Sequence, residues 1–460
     1  MSPQAADERS SLVTKKVGIR RIYVERLFGQ YTYDLLDKDL PLDTATKLLL
    51  LYGDNGSGKT TIMRILFFLL SHLDGQGHKT KVAQIRFKTF NVEFADGTSV
   101  VAERPQDVVG PYDLRVAKGG EVVARAPYGL EEMHPAEARK VDPDRIVRYY
   151  EESAAREIEH AKLLQFLKDI NLGAIYLTDN RRVLTTIPGL VPRESGRDVG
   201  VVMRTMRKLA DDESDRGALA FAVHQISSWA TRQAFRGSAQ GEEDVNSAYA
   251  AIMKRLAYAP RYATQGANLQ AVIEALKDQG RRSPEFVRFG LIKALKVDEI
   301  VEDLRAADPQ VRDTMLAVLE PYITGLKARL DALEPIRVQL SAFVDTMNSF
   351  YRNKIVDLDA EHGLRITAAT GDKLQPSVLS SGEGQLLYLL ASTLVAKEQS
   401  NLFMIDEPEI SLNVKWQRQL LHSLLYLTSD SNIQFILATH SIELLTHYSR
   451  FVRDLNNIEQ

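Results

Sequence analysis

The stretch Gly53-Asp54-Asn55-Gly56-Ser57-Gly58-Lys59-Thr60 constrains the fold more than any other part of the sequence. It follows the apolar run Leu48 to Tyr52, which has the length and composition of a strand buried on both faces. From Thr60 to Leu73, apolar residues recur at helical spacing. A glycine-rich turn between a strand and a helix lets consecutive backbone N–H groups close around phosphate oxygens, and the helix N-terminus adds to the attraction. The pattern therefore predicts an α/β fold with a phosphate-binding loop.

Each residue type in this loop has a chemical reason to be there. Lys59 reaches the β- and γ-phosphates of a nucleotide in such a loop, and the Thr60 hydroxyl ligates Mg²⁺. The alternative is an ordinary glycine turn that caps a helix, but the strand and helix on either side favour the phosphate loop. The predicted nucleotide contacts are Gly53, Asp54, Asn55, Gly56, Ser57, Gly58, Lys59, Thr60 and Thr61.

Composition and charge narrow the class of protein. The 460 residues contain no cysteine, which excludes disulfide scaffolds, cysteine-ligated zinc and thiol nucleophiles. Lys plus Arg is 58 against 61 for Asp plus Glu, so any contact with DNA needs a local basic patch. The longest nearly apolar run, Leu386 to Ala396, is shorter than the about 20 residues that cross a bilayer. We expect a cytoplasmic protein that has no membrane partner.

A second group of chemically active residues follows another apolar strand. Leu402 to Ile405 ends in the adjacent carboxylates Asp406 and Glu407. In a phosphate-loop site, Asp406 holds the Mg²⁺ shell, and Glu407 polarises the attacking water or acts as its general base. A polar strand end followed by a turn is the alternative, and the phosphate loop upstream makes it less favoured.

A third motif, Leu379-Ser380-Ser381-Gly382-Glu383-Gly384-Gln385, precedes a helical run from Leu386 to Lys397. Ser380 and Glu383 have the spacing of a capping box, which stabilises the start of a helix. The same geometry, with a serine hydroxyl and glycine amides at a helix N-terminus, forms an anion site. Ser380 and Gly382 are therefore candidate contacts for a nucleotide held elsewhere.

The remaining sequence divides into regions of different character. A β-hairpin turning near Gly29 is predicted over Val17 to Leu36, and antiparallel strands flank Asp96–Gly97. Between Val311 and Tyr351 a near-heptad is interrupted by Pro321 and Pro335, so a bent helical arm is expected. The predicted regions are a disordered leader (1–14), the first part of a head (15–141), a helical insertion that includes a head strand near 173–182 (142–362), and the second part of the head (363–460).

The four motifs in order resemble those of the soluble ABC-type ATPases, the SMC, RecF and OLD-like group. They are the phosphate loop, LSSGEGQ, an apolar strand ending in DEPE, and Thr439-His440 after the strand Gln434 to Ala438. The resemblance covers residues 17 to about 110 and 363 to 447. It implies a P-loop ATPase head, with a mixed sheet flanked by helices and an antiparallel β-subdomain, that carries a large helical insertion. ATP and Mg²⁺ are the implied cofactors.

Roles for individual residues also follow from the resemblance. In this group, two subunits enclose two ATP molecules, so Ser380 and Gly382 of one chain are expected to contact the γ-phosphate held at Lys59 of the other. His440 is similar to the switch histidine, which senses the γ-phosphate and the attacking water. Asn413 stands where transporter members have Asp, which weakens any role for it.

Two further assignments leave alternatives open. Asn180, or its neighbour Asp179, ends a strand and is a candidate for the Q-loop role near Mg²⁺. Tyr33 is a candidate for stacking on adenine. Each of these residues could equally belong to a turn or to the core.

The stretch from Leu319-Glu320-Pro321 to Asn348-Ser349-Phe350, followed by LSSGEGQ and DEPEISLNVKWQ, resembles the small AAA_15-type ATPases of bacterial anti-phage operons, such as OLD-like, Septu-type and PARIS proteins. The sequence after His440 lacks the acidic triad of a nuclease domain. The expectation is a sensor or regulatory ATPase that forms homodimers or higher oligomers and controls a separate effector, a nuclease or a toxin.

The rival hypothesis is a RecF-like repair ATPase that clamps duplex DNA. It requires a basic surface, whereas interspersed acidic residues favour ordinary solvated helix faces. The candidate residues are Lys15, Lys16, Arg20, Arg21, Arg204, Arg207, Lys208, Arg281, Arg282 and Arg288.

Overall fold

A computed structural model describes residues 13–14, 18–36, 45–73, 76–105, 107–129, 143–170, 172–187, 215–257, 269–398 and 400–456. The chain divides into two compact units, Met1–Ala218 with Ala396–Gln460, and Leu219–Val395. The predicted region boundaries at 141/142 and 362/363 differ from this division and stay predictions. The predicted leader lies outside the described residues apart from Val13–Thr14, which pair with Ala45–Thr46.

The first unit contains a six-stranded central sheet. Its spatial order is β11-β10-β15-β16-β5-β17, and all neighbours are parallel except the antiparallel pair β10 and β11. Every residue of β15 and β16 is buried, which explains why these strands are almost continuously apolar in the sequence. The strands are β5 (Leu48–Tyr52), β10 (Ala174–Leu177), β11 (Val183–Thr185), β15 (Leu402–Asp406), β16 (Gln434–Thr439) and β17 (Val452–Asp454).

Helices of the first unit accompany this sheet. The phosphate loop runs directly into α1, whose apolar residues face β10, β15 and β16. The helices are α1 (Lys59–Leu70), α2 (His78–Ala83), α3 (Pro143–Asp169), α9 (Val414–Leu427) and α10 (Ile442–Leu445).

An antiparallel sheet forms the β-subdomain of the same unit, in the order β3-β2-β6-β7-β8-β9. Both predicted hairpins are confirmed, because β2 pairs with β3 around Gly29 and β6 pairs with β7 around Asp96–Gly97. Gly29 has a φ of +86°, a left-handed conformation that glycine adopts without strain. The strands are β2 (Ile19–Leu27), β3 (Tyr31–Asp34), β6 (Thr89–Phe94), β7 (Thr98–Glu103), β8 (Tyr112–Lys118) and β9 (Glu121–Tyr128), with β1 (Val13–Thr14) and β4 (Ala45–Thr46) forming a separate pair.

The second unit is mostly helical and contains a small antiparallel sheet, in the order β12-β13-β14. Its strands are β12 (Lys354–Asp359), β13 (Gly363–Ala368) and β14 (Lys373–Leu374). Its helices are α4 (Asp215–Ala257, which begins in the first unit), α5 (Leu269–Arg288), α6 (Val297–Ala306), α7 (Pro309–Phe350) and α8 (Ser381–Ala396, which ends at the boundary).

The helix α7 covers the predicted helical arm. It is one continuous helix of 42 residues that contains both Pro321 and Pro335, and the bend expected at these prolines stays a prediction. A proline removes one backbone hydrogen bond, but burial of the surrounding turns keeps the segment helical. Leu330 and Leu333 are fully buried between the two prolines, and α4 approaches so closely that a Cβ on Gly237 would lie 2.6 Å from Leu333.

The predicted fold class is confirmed: an α/β head with a mixed sheet and an antiparallel β-subdomain, and a large helical insertion. In the part of the chain that the structure describes, no helix is both long and apolar enough to cross a membrane.

Candidate functional site

The phosphate loop connects the end of β5 to the first turn of α1. Gly56 and Gly58 both have left-handed backbones, with φ values of +90° and +97°. A Cβ on Gly58 would also lie 2.5 Å from Leu27 Cδ2, so a side chain at this position is excluded twice. The left-handed backbone at both positions, and the close approach of Leu27 at Gly58, explain why this turn with exposed backbone N–H groups needs glycine.

The side chain of Lys59 lies at the loop and is only 5% exposed. Its Nζ donates to the carbonyl oxygens of Gly53 (2.7 Å) and Asp54 (3.0 Å). The ammonium group therefore has exchangeable backbone partners next to the loop amides. Ser57 Oγ is buried and has no hydrogen-bond partner among the described residues.

Tyr33 belongs to the core and not to an adenine platform. It is 3% exposed, and its hydroxyl donates to Ser57 O at 2.9 Å. Its ring stacks on Tyr31 with centroids 6.0 Å apart, and burial raises the pKa of Tyr33 to about 12. The core alternative is therefore confirmed. Tyr33 stabilises the phosphate loop through its hydrogen bond to Ser57 O, and its buried ring does not offer a surface for a base.

Asn456 is a loop contact that the sequence did not reveal. The Asp54 N–H donates to Asn456 Oδ1 at 2.8 Å, and the Leu455 N–H donates to Tyr52 O at 2.8 Å. A Cβ on Gly53 would lie 3.1 Å from Leu455 and 3.3 Å from Asn456. The strand β17 brings this segment beside β5, so the start of the phosphate loop is held by residues about 400 positions away in the chain. No motif marks them.

Asp406 ends β15 and meets the first turn of α1. Its Oδ1 accepts from Thr60 Oγ1 at 3.1 Å, and its Oδ2 accepts from the Tyr176 hydroxyl at 3.0 Å. The pKa of Asp406 is raised to about 6, chiefly by burial; the nearby carboxylates Asp179 and Glu407 contribute to the rise, and the two hydroxyl donors oppose it. Tyr176 was missed in the sequence because it looks like one more apolar position of β10.

These residues fit Mg²⁺ and a nucleotide. The two predicted metal ligands, Thr60 and Asp406, lie together and offer the oxygen atoms that Mg²⁺ prefers. A cation at this place favours the ionised form of a carboxyl whose pKa burial has raised. Among the described residues, no cluster of three or more His, Cys, Asp or Glu side chains could hold a metal by itself.

Glu407 and His440 lie side by side at the ends of β15 and β16. Glu407 has a left-handed backbone with φ +47°, and its N–H donates to Ala438 O at 2.9 Å. His440 Nδ1 lies 3.8 Å from Glu407 Oε1, and the His440 side chain is 49% exposed. The predicted base and the predicted switch histidine are thus neighbours, and their catalytic roles stay predictions.

Asn180 and Asp179 lie in a turn after β10. Asn180 is exposed, and its Oδ1 accepts from Thr178 Oγ1 at 2.5 Å, a contact within the turn. Asp179 is also exposed, and its charge contributes to the raised pKa of Asp406. Of the two Q-loop candidates, Asp179 is the one whose charge acts on the predicted metal ligand.

The LSSGEGQ motif lies in the second unit, and its capping box is confirmed. The Ser380 N–H donates to Glu383 Oε2 at 2.8 Å, and the Glu383 N–H donates to Ser380 Oγ at 3.4 Å. The helix α8 begins at Ser381, so Gly382 lies in its first turn. Lys354 Nζ binds both oxygens of Glu383, at 2.7 and 2.8 Å, and fixes this turn to β12.

Comparisons with known proteins give partial matches. Residues 244–446, less than half of the chain, match the family described as "AAA domain, putative AbiEii toxin, Type IV TA system". The molybdenum import ATP-binding protein ModC of Escherichia coli K12 is 35% identical over 82 residues, as is that of Shigella flexneri. Each alignment spans 18% of this chain and 22% of that relative.

Solved Smc head domains also align along most of the chain. The Smc head domain of Pyrococcus furiosus, with an extended coiled coil and the C-terminal domain of ScpA, aligns with 93% of this chain and 91% of its own length. The sequence identity is 13%, and the TM-score is 0.36. The Smc head domain of Pyrococcus yayanosii, with a coiled coil and joint, gives 12% identity, 93% coverage of each chain and a TM-score of 0.35.

The sequence matches and the geometry of the site both point to an ATPase domain. The complete phosphate loop, the Asp406–Thr60 contact and the two sequence matches support an AAA-type ATPase domain related to the ABC group.

Proposed function

We propose that this chain binds ATP with Mg²⁺ between two copies of itself and hydrolyses it, as the sensor or regulatory subunit of an anti-phage defence system. A separate effector, a nuclease or a toxin, is controlled by the nucleotide state. The observation that carries the ATPase part is the contact of Thr60 with Asp406, at the sheet edge where Glu407 and His440 also lie. In open α/β sheets, this carboxyl edge of the strands is where ligands bind.

The proposed mechanism assigns one task to each side chain. The loop amides hold the β- and γ-phosphates, and Lys59 exchanges its bonds to Gly53 O and Asp54 O for phosphate oxygens. Thr60 and Asp406 would hold Mg²⁺, which would supply charge neutralisation for the phosphates. Glu407 takes the proton of the attacking water. His440 completes the site beside it.

Sharing of the nucleotide between two copies is the second part of the proposal. It is supported by the LSSGEGQ resemblance and by the place of Ser380 and Gly382 at the N-terminus of α8, which attracts anions, although the capping box itself uses the N–H groups of Ser380 and Glu383. The Glu407→Gln variant, incubated with Mg²⁺-ATP, is expected to run as a dimer in light-scattering chromatography. The Glu407→Gln/Ser380→Arg variant should remain monomeric under the same conditions. A Glu407→Gln protein that stays monomeric while it binds ATP would refute a shared site.

The defence role is the third part. It is supported by the DEPEISLNVKWQ resemblance and by the toxin named in the description of the matched family. The test is the efficiency of phage plating on cells that carry the whole native operon. Wild type is expected to reduce plaque numbers, and Lys59→Ala and Glu407→Gln should both abolish the protection. Protection that survives both substitutions would separate the defence role from ATP turnover.

The RecF-like DNA clamp stays the alternative, and the described basic residues do not favour it. Arg21, Arg281, Arg282 and Arg288 each pair with at least one carboxylate, so they present less free positive charge. The other candidates are Arg20, which is described, and Lys15, Lys16, Arg204, Arg207 and Lys208, which lie outside the described residues. Duplex binding whose affinity falls steeply between 50 and 200 mM salt would support the clamp.

A further inference from the structure

Glu409 is a buried carboxylate that the mechanism above does not use. Its side chain is 4% exposed. Oε1 accepts from Thr439 Oγ1 at 2.5 Å and from the His440 N–H at 3.0 Å, whereas Oε2 is buried without a hydrogen-bond partner among the described residues. A buried carboxylate that satisfies only one oxygen is a costly way to fill a core. Its position therefore calls for an explanation other than packing.

The turn after β15 places Glu409 beside the end of β16. Glu407 takes a left-handed backbone, and the chain then closes on itself through Ile410 N–H to Glu407 O (3.2 Å) and Leu412 N–H to Glu409 O (2.9 Å). This compact turn reverses the chain direction, so the Glu409 side chain reaches back to Thr439 and His440.

Glu409 also lies close to the His440 ring. His440 Nδ1 lies 3.4 Å from Glu409 Oε1 and 3.8 Å from Glu407 Oε1. Neither contact is a hydrogen bond, but two carboxylate oxygens beside one ring nitrogen favour a proton on that nitrogen, and the partner of one nitrogen sets the tautomer. The other nitrogen, Nε2, then stays available for the reacting phosphate and water.

From this geometry we infer that Glu409 is a positioning residue, which locks the Thr439–His440 backbone and holds the His440 ring with Nδ1 protonated. The inference rests on the ATPase proposed above and assigns it a further residue. Glu409 acts through His440 and does not touch the nucleotide.

The test is a double-substitution cycle in steady-state ATPase kinetics. Glu409→Ala is expected to lower kcat by about tenfold or more, the range for partners that orient a functional histidine, with KM for ATP nearly unchanged. Glu409→Gln should recover most of the lost kcat, because its amide oxygen can accept the same two hydrogen bonds. In a His440→Ala background, Glu409→Ala should cost no further activity, since residues that act as a unit are not additive.

A matched control separates positioning from loss of stability. Thr428→Ala removes a buried hydroxyl directly after the C-terminal end of α9 that donates to Leu424 O at 2.8 Å, away from the site, and it should leave kcat unchanged. If Glu409→Ala does not fold, Thr439→Val removes one donor to Glu409. It should lower kcat severalfold in wild type and not in the His440→Ala background.

Three results would overturn the inference while the proposed ATPase stands: wild-type kcat in Glu409→Ala, additive losses in the double variant, or an equal loss in Thr428→Ala. A wild-type protein that binds ATP but does not turn it over would refute the ATPase itself, and this inference with it.

Discussion

Asp406 offers the sharpest test of the site, because one substitution is expected to stabilise the protein and to remove its metal-dependent chemistry. Burial raises the pKa of Asp406 from its ordinary value of 3.8 to about 6. Above pH 6 the carboxyl is ionised in both folded and unfolded chains, but its ionised form is disfavoured only in the folded one. One pKa unit corresponds to about 1.4 kcal/mol, so the ionised group lowers the free energy of unfolding by about 3 kcal/mol. Below about pH 3 both states are largely protonated, and this loss disappears.

Asp406→Asn removes the charge and keeps the shape. Both partners, Thr60 and Tyr176, are hydroxyls that can donate or accept, so the amide can bind both. Without nucleotide and Mg²⁺, the variant is expected to gain up to about 3 kcal/mol of unfolding free energy at pH 8, and about half of that at pH 5. Urea unfolding curves at the two pH values measure this difference. A gain that does not change with pH, or a loss at pH 8, would refute the reasoning.

The metal-dependent half of the same test uses ligand-induced stabilisation. Mg²⁺-ATP at 100 times its dissociation constant should stabilise the wild type by about 2.7 kcal/mol. The Asp406→Asn variant should gain clearly less, because it has lost a ligand of the metal. Asp345→Asn, which removes an exposed carboxylate of α7, is the matched control and should behave as wild type in both halves.

The remaining predictions test the other parts of the site. Lys59→Ala is expected to abolish ATP binding in calorimetry, and an unaltered affinity would contradict the phosphate-loop assignment. Glu407→Gln should keep ATP binding and slow turnover by about 100-fold or more; turnover near wild type would place the base elsewhere. Ser380→Arg should block hydrolysis and spare ATP binding by the single chain, whereas an equal loss of binding would argue against a shared site. Asn456→Ala removes the acceptor of the Asp54 N–H and should raise KM for ATP by about fivefold at nearly constant kcat, as expected from one hydrogen bond of about 1 kcal/mol. An unchanged KM would show that the loop does not need this contact.

Local patterns predicted the parts of the fold whose signal lies within a few neighbouring residues. The phosphate loop could be predicted because its glycines, Lys59 and Thr60 must occur at fixed spacing between a strand and a helix. The capping box is readable for the same reason, since Ser380 and Glu383 satisfy each other's backbone within one turn. The buried strands β5, β15 and β16 also show as apolar runs in the sequence.

Contacts between distant segments could not be predicted in this way. Asn456 and Asp54 are brought together by the pairing of β17 with β5, and nothing near either residue in the sequence records that pairing. Tyr176 looks like an ordinary strand residue until β10 lies beside β15 and its hydroxyl reaches Asp406.

Backbone conformation at the sheet edge explains why the carboxylates were predicted and their geometry was not. Three non-glycine residues adopt left-handed backbones there, Arg181 (φ +61°), Glu407 (φ +47°) and Ser411 (φ +67°). Such conformations cost about 1–3 kcal/mol each, and they persist where the surrounding structure holds them. Two backbone hydrogen bonds stabilise this conformation around Glu407. The Glu407 N–H donates to Ala438 O, and the Leu412 N–H donates to Glu409 O and closes the turn beyond it. The strained residue sets the directions of two carboxylates, Glu407 towards the exposed face of His440 and Glu409 into the buried side of the same turn. A glycine at position 407 would relieve the backbone strain, but the site would lose its proposed base and the carboxylate that faces His440. This gives a physical reason for a strained glutamate at this position.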